Sequence, residues 1–323
     1  MEFRSYADLS RLLQDNLSRI PADVDLIAAL PRSGTIPACM LALALNLPTT
    51  DLDALEAQLP IVTGQTRRFR QFSESLAAYR HVLVVDDTVH TGRNFTDARQ
   101  RVAALGLKMK VTYAAVYASP EGVRHVDFHF EQCPFPRVFE WNYLHQATLS
   151  EACIDIDGVL CLDPTNEQND DGPLYREFLR CAKPRFRPET RVYHLVTNRL
   201  EKYRAETEDW LQANKVQFEK LSMLDLPSAA ERRRLRAHAI FKGEVYRADH
   251  RAEVFVESEV RQAPVIAALA GKPVICIGDQ RYYPAPGERL PHALSLSPLR
   301  PARRLLRGVR RRLLPPGSRP SRG

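Results

Sequence analysis

Two short stretches of this 323-residue chain set acids directly after apolar runs. The first is Val82-Leu83-Val84-Val85-Asp86-Asp87, followed by the polar turn Thr88-Val89-His90-Thr91-Gly92-Arg93-Asn94. The second is Ile154-Asp155-Ile156-Asp157-Gly158. Acids at the carboxyl edge of a parallel sheet sit where open α/β folds bind ligands. Adjacent acids can take sugar hydroxyls or a divalent cation. An Asp-x-Asp pair can divide its work, one carboxylate attacking and the other moving protons. The turn at 88–94 contains Gly92 and hydroxyl residues and leads into a helical pattern. Such a turn offers backbone N–H groups and a helix N-terminus to a phosphate. A second turn of this kind, Leu30-Pro31-Arg32-Ser33-Gly34-Thr35, adds the charge of Arg32 and the close backbone approach that Ser33 and Gly34 allow.

The order of these pieces resembles the type I phosphoribosyltransferases. Their signature for phosphoribosyl pyrophosphate (PRPP) is an apolar strand, two acids and a Thr/Gly loop, matched here at 82–92. His90 and Asn94 stand where small or hydroxyl residues are more usual. The resemblance implies that Asp86 and Asp87 bind the ribose hydroxyls, that Thr88, Val89, His90, Thr91, Gly92, Arg93 and Asn94 surround the 5-phosphate, and that Arg32, Ser33 and Gly34 form the pyrophosphate loop. Thr63 to Arg70 falls where the family carries its catalytic loop, so Arg67 and Arg68 would close over the pyrophosphate. Magnesium accompanies PRPP in this family, which is often dimeric; a homodimer is carried over on that ground alone. Residues 1–24 and Pro136–Tyr143 are the candidate hoods for an acceptor. Trp141 and Tyr143 are read as packing between the two halves, with stacking on a base or sugar as the alternative.

The second stretch begins a different series. Leu195-Val196-Thr197-Asn198 ends another apolar run, Lys242 follows, and Phe255-Val256-Glu257-Ser258-Glu259 ends a third. Nucleophile, hydroxyl, lysine and acids in this order resemble the HAD phosphohydrolase superfamily over about residues 150–280. The resemblance implies Asp155 as nucleophile through an aspartyl phosphate and Asp157 as general acid and base. Thr197 would hold phosphoryl oxygens and Lys242 would neutralise charge. Asp155, Asp157, Glu257 and Glu259 would hold magnesium. Glu-Ser-Glu departs from the commoner Asp-rich run, but its oxygens still suit that ion. The span from Asp163 to Pro188 leaves room for a small insertion and not for a large cap.

These residues need a scaffold, and the pattern supplies an α/β one. Apolar runs at 25–30, 81–85 and 111–117 alternate with helical segments at 36–47 and 94–105. After about residue 145 the alternation restarts with runs at 152–156, 191–196, 254–256 and 273–277 and a helix over 203–213. The expected architecture is two doubly wound parallel-sheet domains, residues 1–145 and 150–283, followed by a Pro/Arg-rich tail, 284–323. The composition, 44% hydrophobic and 26% charged, is that of a globular protein. No apolar run nears the ~20 residues of a membrane span, and the N-terminus lacks an apolar signal core. Six scattered cysteines without a CxxC pair argue against a disulfide scaffold or zinc site and for a cytoplasmic chain.

The net charge of +7 belongs to the tail, which holds ten arginines and one acid and leaves residues 1–283 at −2. A near-neutral folded part argues against DNA as a partner. Within the tail, Ala302, Leu305, Leu306, Val309 and Leu313 recur at helical spacing among arginines. An amphipathic helix over 301–314 would suit an anionic surface on the inner face of a membrane.

Together the two resemblances imply PRPP-dependent phosphoribosyl transfer followed by removal of the 5-phosphate. The net result is ribofuranosyl transfer. Paired domains of this kind install ribofuranose in bacterial surface polysaccharides, so the expected acceptor is a glycan or lipid-linked glycan. The alternatives are nucleobase salvage with a nucleotidase domain, and a PRPP-sensing regulator that binds RNA through the tail.

Overall fold

The computed structural model describes residues 1–61, 72–106 and 108–287. Two compact units divide after Trp141. The tail and its expected helix over 301–314 lie outside the described residues.

The first unit runs β1 (Glu2–Arg4), α1 (Tyr6–Asp15), β2 (Leu26–Ala29), α2 (Thr35–Leu45), β3 (Thr49–Asp51), α3 (Leu52–Glu56), β4 (His81–Val89), α4 (Arg93–Ala104), β5 (Lys110–Ala118), β6 (Phe128–Gln132) and β7 (Arg137–Phe139). Five of its described strands form a wholly parallel sheet in the order β3-β2-β4-β5-β6. Strand alternation sends Ile27, Ala29, Leu83 and Val85 into one apolar cluster and Leu26, Ala28, Val82 and Val84 into another. Both faces are therefore covered, as a parallel sheet requires. Burying each Val or Leu contributes about 1.5–3 kcal/mol.

The sheet grows outward from β2 in two directions. The chain passes from β2 to β3 on one side, then returns to place β4 on the other. The β2–β4 boundary is thus a topological switch point, where the connections diverge and leave a crevice at the strands' carboxyl ends. Pairing of β2 with β4 stops at Ala29 opposite Val85, while β4 continues along β5 to Val89 opposite Ala118. Asp86 and Asp87, read from sequence as directly following the strand, therefore lie within it, as do Thr88 and Val89, which the sequence reading placed in the turn. They reach the crevice because β2 has ended and no longer covers that edge.

Gly34 fills the gap. It caps α2, and a Cβ there would sit 2.4 Å from the Leu30 carbonyl oxygen and 2.7 Å from that of Val85. Only glycine lets the turn after β2 pack on the strand at the acids. Gly92, at φ 72°, begins α4 where a Cβ would strike the His125 ring at 2.2 Å.

The second unit runs β8 (Ala152–Ile154), α5 (Pro173–Cys181), β9 (Val192–Leu200), α6 (Arg204–Ala213), β10 (Phe218–Leu224), α7 (Ala229–Arg234), α8 (Ala237–Ala248), β11 (Val254–Glu257), α9 (Ala263–Ala270), β12 (Val274–Cys276) and β13 (Arg281–Tyr283). Its described sheet has the order β10-β9-β8-β11-β12-β13, parallel except for the edge strand β13. The chain leaves β8 toward β9 and β10, then returns to β11 on the opposite side. The switch point here lies between β8 and β11. The insertion between β8 and β9 carries one described helix, α5. Among the described residues no helix is long and apolar enough to cross a membrane.

Gly34→Ala forces a backbone shift at the β2–β4 boundary. It should lower the stability of the first unit by about 1–3 kcal/mol, as overpacking does, measured as the urea midpoint of that unit's unfolding. An unchanged midpoint would contradict the close approach.

Candidate functional site

In the first unit the two acids are buried and differently held. Asp87 accepts Ser33 Oγ at 2.8 Å on Oδ1 and the Trp141 indole Nε1 at 2.6 Å on Oδ2. Asp86 Oδ1 accepts the Asp87 backbone N–H at 2.8 Å. The Asp86 carboxyl is pushed up to about 8, first by burial and then by the neighbouring Asp87 carboxylate. A site with two adjacent buried carboxylates therefore favours an arriving proton or cation. Below it, Thr88 is half-buried and His90, Thr91, Arg93 and Asn94 are exposed around the N-terminus of α4. Ser119 Oγ bonds His90 Nδ1 at 2.9 Å and accepts the Gly122 N–H at 3.0 Å. Arg137 Nη2 donates to the Val89 carbonyl at 3.2 Å. These contacts fix the turn from the rear, leaving its front to solvent.

The structure brings Ser33, Gly34, Asp86, Asp87 and residues 88–94, from the end of β4 into the first turn of α4, to one sheet edge. Arg32 is exposed on the adjoining turn. Arg67 and Arg68 lie outside the described residues. The Trp141 ring, read from sequence as packing between the halves, stacks on Phe139 at 5.0 Å, and its indole holds Asp87. Sequence pattern could not show this, because Trp141 and Asp87 are 54 residues apart and meet only in the fold. Tyr6, 44% exposed, packs on the same indole at 5.7 Å.

In the second unit a cavity of about 340 Å³ opens at the β8–β11 switch point, lined by Asp155, Asp157, Lys242, Glu257 and Glu259 among others. Lys242 Nζ lies 2.5 Å from Asp155 Oδ2 and 2.7 Å from Glu257 Oε2. Burial alone would lower the Lys242 ammonium, but the two carboxylates outweigh it and raise it. Burial raises the Asp155 carboxyl well above the usual range, against the pull of Lys242. Two carboxylates around one ammonium leave a negative excess that a further cation would neutralise. Glu257 Oε1 is anchored by the N–H groups of Ser258 and Glu259, at 2.9 and 3.0 Å.

Asp157 is gripped by Arg199, whose Nη2 approaches to 2.7 Å and Nε to 3.1 Å. Arg199 is wholly buried; burial alone would lower it, and Asp157 outweighs that, so the guanidinium stays charged. Thr197 is also wholly buried, its Oγ1 accepting the Arg199 N–H at 3.2 Å. Strand alternation accounts for the pair: Thr197 and Arg199 share one face of β9 and Asn198 the other. Asn198, not Thr197, lines the cavity. Arg199, Arg232 and His238 were not singled out from sequence. Arg199 was detectable as a charge inside an apolar run; Arg232 sits among like neighbours in Glu231-Arg232-Arg233-Arg234, which hides it. Burial, then the Arg232 and Lys242 charges, push His238 down to about 4, so its imidazole is neutral at pH 7. Among the described residues no three His, Cys, Asp or Glu side chains form a preformed metal cluster; Lys242 stands between Asp155 and Glu257.

The raised Asp86 carboxyl makes stability depend on pH. A carboxyl at about 8 in the fold and near 4 in the unfolded chain contributes stability below pH 4 that is lost as pH rises through 8. Asp86→Asn carries no such penalty. Its thermal midpoint should exceed the wild type's by a margin that widens from pH 5 to pH 9, steepest at about 1.4 kcal/mol per pH. A margin that narrows with pH would contradict the assignment.

Residues 4–148 match the family model of the phosphoribosyl transferase domain. A search of curated proteins finds no match. Among solved structures, the xanthine-guanine-hypoxanthine phosphoribosyltransferase of Helicobacter pylori is similar at 18% identity, over 44% of this chain and 91% of that one, with a TM-score of 0.32. A purine phosphoribosyltransferase of Pyrococcus horikoshii is similar at 19% identity, over 43% and 92%, also at 0.32. An orotate phosphoribosyltransferase of Aeropyrum pernix is similar at 19% identity, over 39% and 70%, at 0.28. By the family model, residues 4–148 are similar to phosphoribosyl transferase domains.

Proposed function

We propose that the chain is a two-step ribofuranosyl transferase: the first unit moves a phosphoribosyl group from PRPP to a hydroxyl acceptor, and the second, a HAD-type phosphatase, removes the 5-phosphate. The observation that carries this reading is the repeated placement of paired carboxylates at switch points, one pair on the strand that leads into the N-terminus of α4 and the other beside Lys242.

In the first step Asp86 and Asp87 hold the ribose hydroxyls while the α4 N-terminus takes the 5-phosphate and the Arg32–Gly34 turn takes pyrophosphate. The bond from the anomeric carbon to pyrophosphate breaks, the acceptor oxygen bonds to that carbon, and the acceptor proton passes to the departing pyrophosphate. Trp141 and Ser33 keep Asp87 aimed at the sugar. In the second step an Asp155 oxygen attacks phosphorus and the sugar oxygen leaves, taking a proton from Asp157. Water, deprotonated by Asp157, then releases phosphate from the aspartyl phosphate. Arg199 stabilises the Asp157 carboxylate between these transfers. Magnesium fits both sites by the chemistry of their hard oxygen donors and their excess negative charge. In the second unit Asp155, Asp157, Glu257 and Glu259 would hold it, where it would neutralise charge on the phosphoryl group. The favoured acceptor is a sugar hydroxyl on a glycan or lipid-linked glycan. Transfer to a nucleobase is the second reading, favoured by the exposed face of Tyr6 on Trp141, which suits a planar acceptor.

The test uses PRPP labelled at the 5-phosphate, magnesium and an extract containing glycan precursors and bases. Wild type should release labelled phosphate, Asp155→Asn should accumulate labelled acceptor, and the double variant Asp86→Asn, Asp87→Asn should do neither. Label accumulating on a nucleobase would select the second reading. Label that never leaves PRPP would contradict both.

A further inference from the structure

The wall that α7 and α8 give to the cavity of the second unit carries three nitrogen-bearing side chains, Arg232, His238 and Lys242. Two of them are engaged. Lys242 Nζ bonds Asp155 and Glu257, at 2.5 and 2.7 Å. Arg232 Nη1 donates to the Asn198 carbonyl at 2.7 Å, and its guanidinium also bonds the Tyr175 hydroxyl. His238 differs: among the described residues nothing hydrogen-bonds its ring. Its nitrogens are not closed off either, since the imidazole is half-buried and lines the cavity.

The fold sets where this imidazole stands relative to Asp155. Strands β10 and β11 are parallel members of one sheet, so α8, which leads into β11, runs back from the strands' carboxyl edge toward their amino edge. His238 lies in its first turn and Lys242 four residues on. Residues at i and i+4 share one helix face, and four residues rise about 6 Å along the axis. His238 therefore shares the face of Lys242 and stands one turn nearer the carboxyl edge, where the crevice of a switch point opens. The attacking and leaving oxygens of a phosphoryl transfer lie roughly in line. Attack by Asp155, at the end of β8, would send the ester's organic part toward that opening.

Burial, then the charges of Arg232, Lys242 and Arg233, keep the imidazole neutral at pH 7. A neutral imidazole has one N–H donor and one acceptor nitrogen, and a hydroxyl can meet either. We propose that His238 is a specificity-determining residue that hydrogen-bonds a hydroxyl on the organic part of the phosphomonoester whose phosphoryl group reaches Asp155. The substrate class is then a hydroxylated sugar phosphate rather than an aryl or alkyl phosphate. This inference rests on reading the Asp155 site as a phosphatase.

The experiment uses the full chain with magnesium and compares ribose 5-phosphate with p-nitrophenyl phosphate, whose aryl group offers His238 no hydroxyl. The ratio of kcat/KM for the first substrate to that for the second should fall at least about tenfold in His238→Leu and in His238→Ala, since a site built to hydrogen-bond a hydroxyl is sensitive to losing its partner. His238→Gln, whose amide also donates and accepts, should return the ratio to within about threefold of wild type. A ratio unchanged within about twofold in both apolar variants would overturn the proposal. An equal fall for both substrates would also overturn it, because His238 would then act on the phosphoryl group. So would a selective fall that His238→Gln does not recover, because the ring would then act by its bulk and not by hydrogen bonding. If wild type hydrolyses p-nitrophenyl phosphate, loses this with Asp155→Asn, and does not hydrolyse ribose 5-phosphate, the sugar contact fails and the phosphatase reading survives. If wild type hydrolyses neither substrate, the phosphatase reading itself fails.

Discussion

Each site depends on carboxylates held inside a parallel sheet where the chain reverses its direction of growth. A parallel sheet covered on both faces offers few places for a charge, and the crevice at a switch point is one of them. At Asp86 and Asp87 the cover is lost because β2 ends at Ala29 while β4 runs on to Val89. At Asp155 and Glu257 it is lost where β8 and β11 end side by side. Burying two carboxylates together is unfavourable unless positive charge compensates, and the two units solve this differently.

The first unit supplies no cation side chain to its acids among the contacts described. Asp87 is held by neutral donors, Ser33 and Trp141, and Asp86 responds by holding its proton up to about pH 8. Such a site is prepared for a ligand that brings hydroxyl donors or a cation with it. The second unit places Lys242 between Asp155 and Glu257 and Arg199 on Asp157. That arrangement suits a pair of carboxylates with separate roles, since each has its own charge partner and therefore its own environment.

Much of this was legible in the sequence because the acids follow apolar runs directly. Asp86, Asp87, Asp155, Asp157 and Glu257 each sit at or just past a strand whose burial forces the next polar residue to the sheet edge. Gly34 was read from sequence as allowing close approach to an anion; in the fold its close approach is to the backbone of Leu30, Val85 and Asp86. What could not be read depends on partners distant in sequence. Trp141 meets Asp87 across 54 residues of sequence. Arg199 meets Asp157 only because β9 lies beside β8. Thr197 failed as a cavity residue for a local reason: β9 continues through it to Leu200, so alternation turns its hydroxyl into the protein and presents Asn198. Arg232 has no local signature, since its three neighbours are also charged.

If one chain carries out transfer and then dephosphorylation, its two products appear in a fixed order. The most direct measurement follows pyrophosphate and inorganic phosphate together during turnover of PRPP by the wild-type chain with its acceptor. Equal final amounts are expected, with phosphate lagging behind pyrophosphate. Pyrophosphate released without phosphate, or phosphate appearing first, would contradict it.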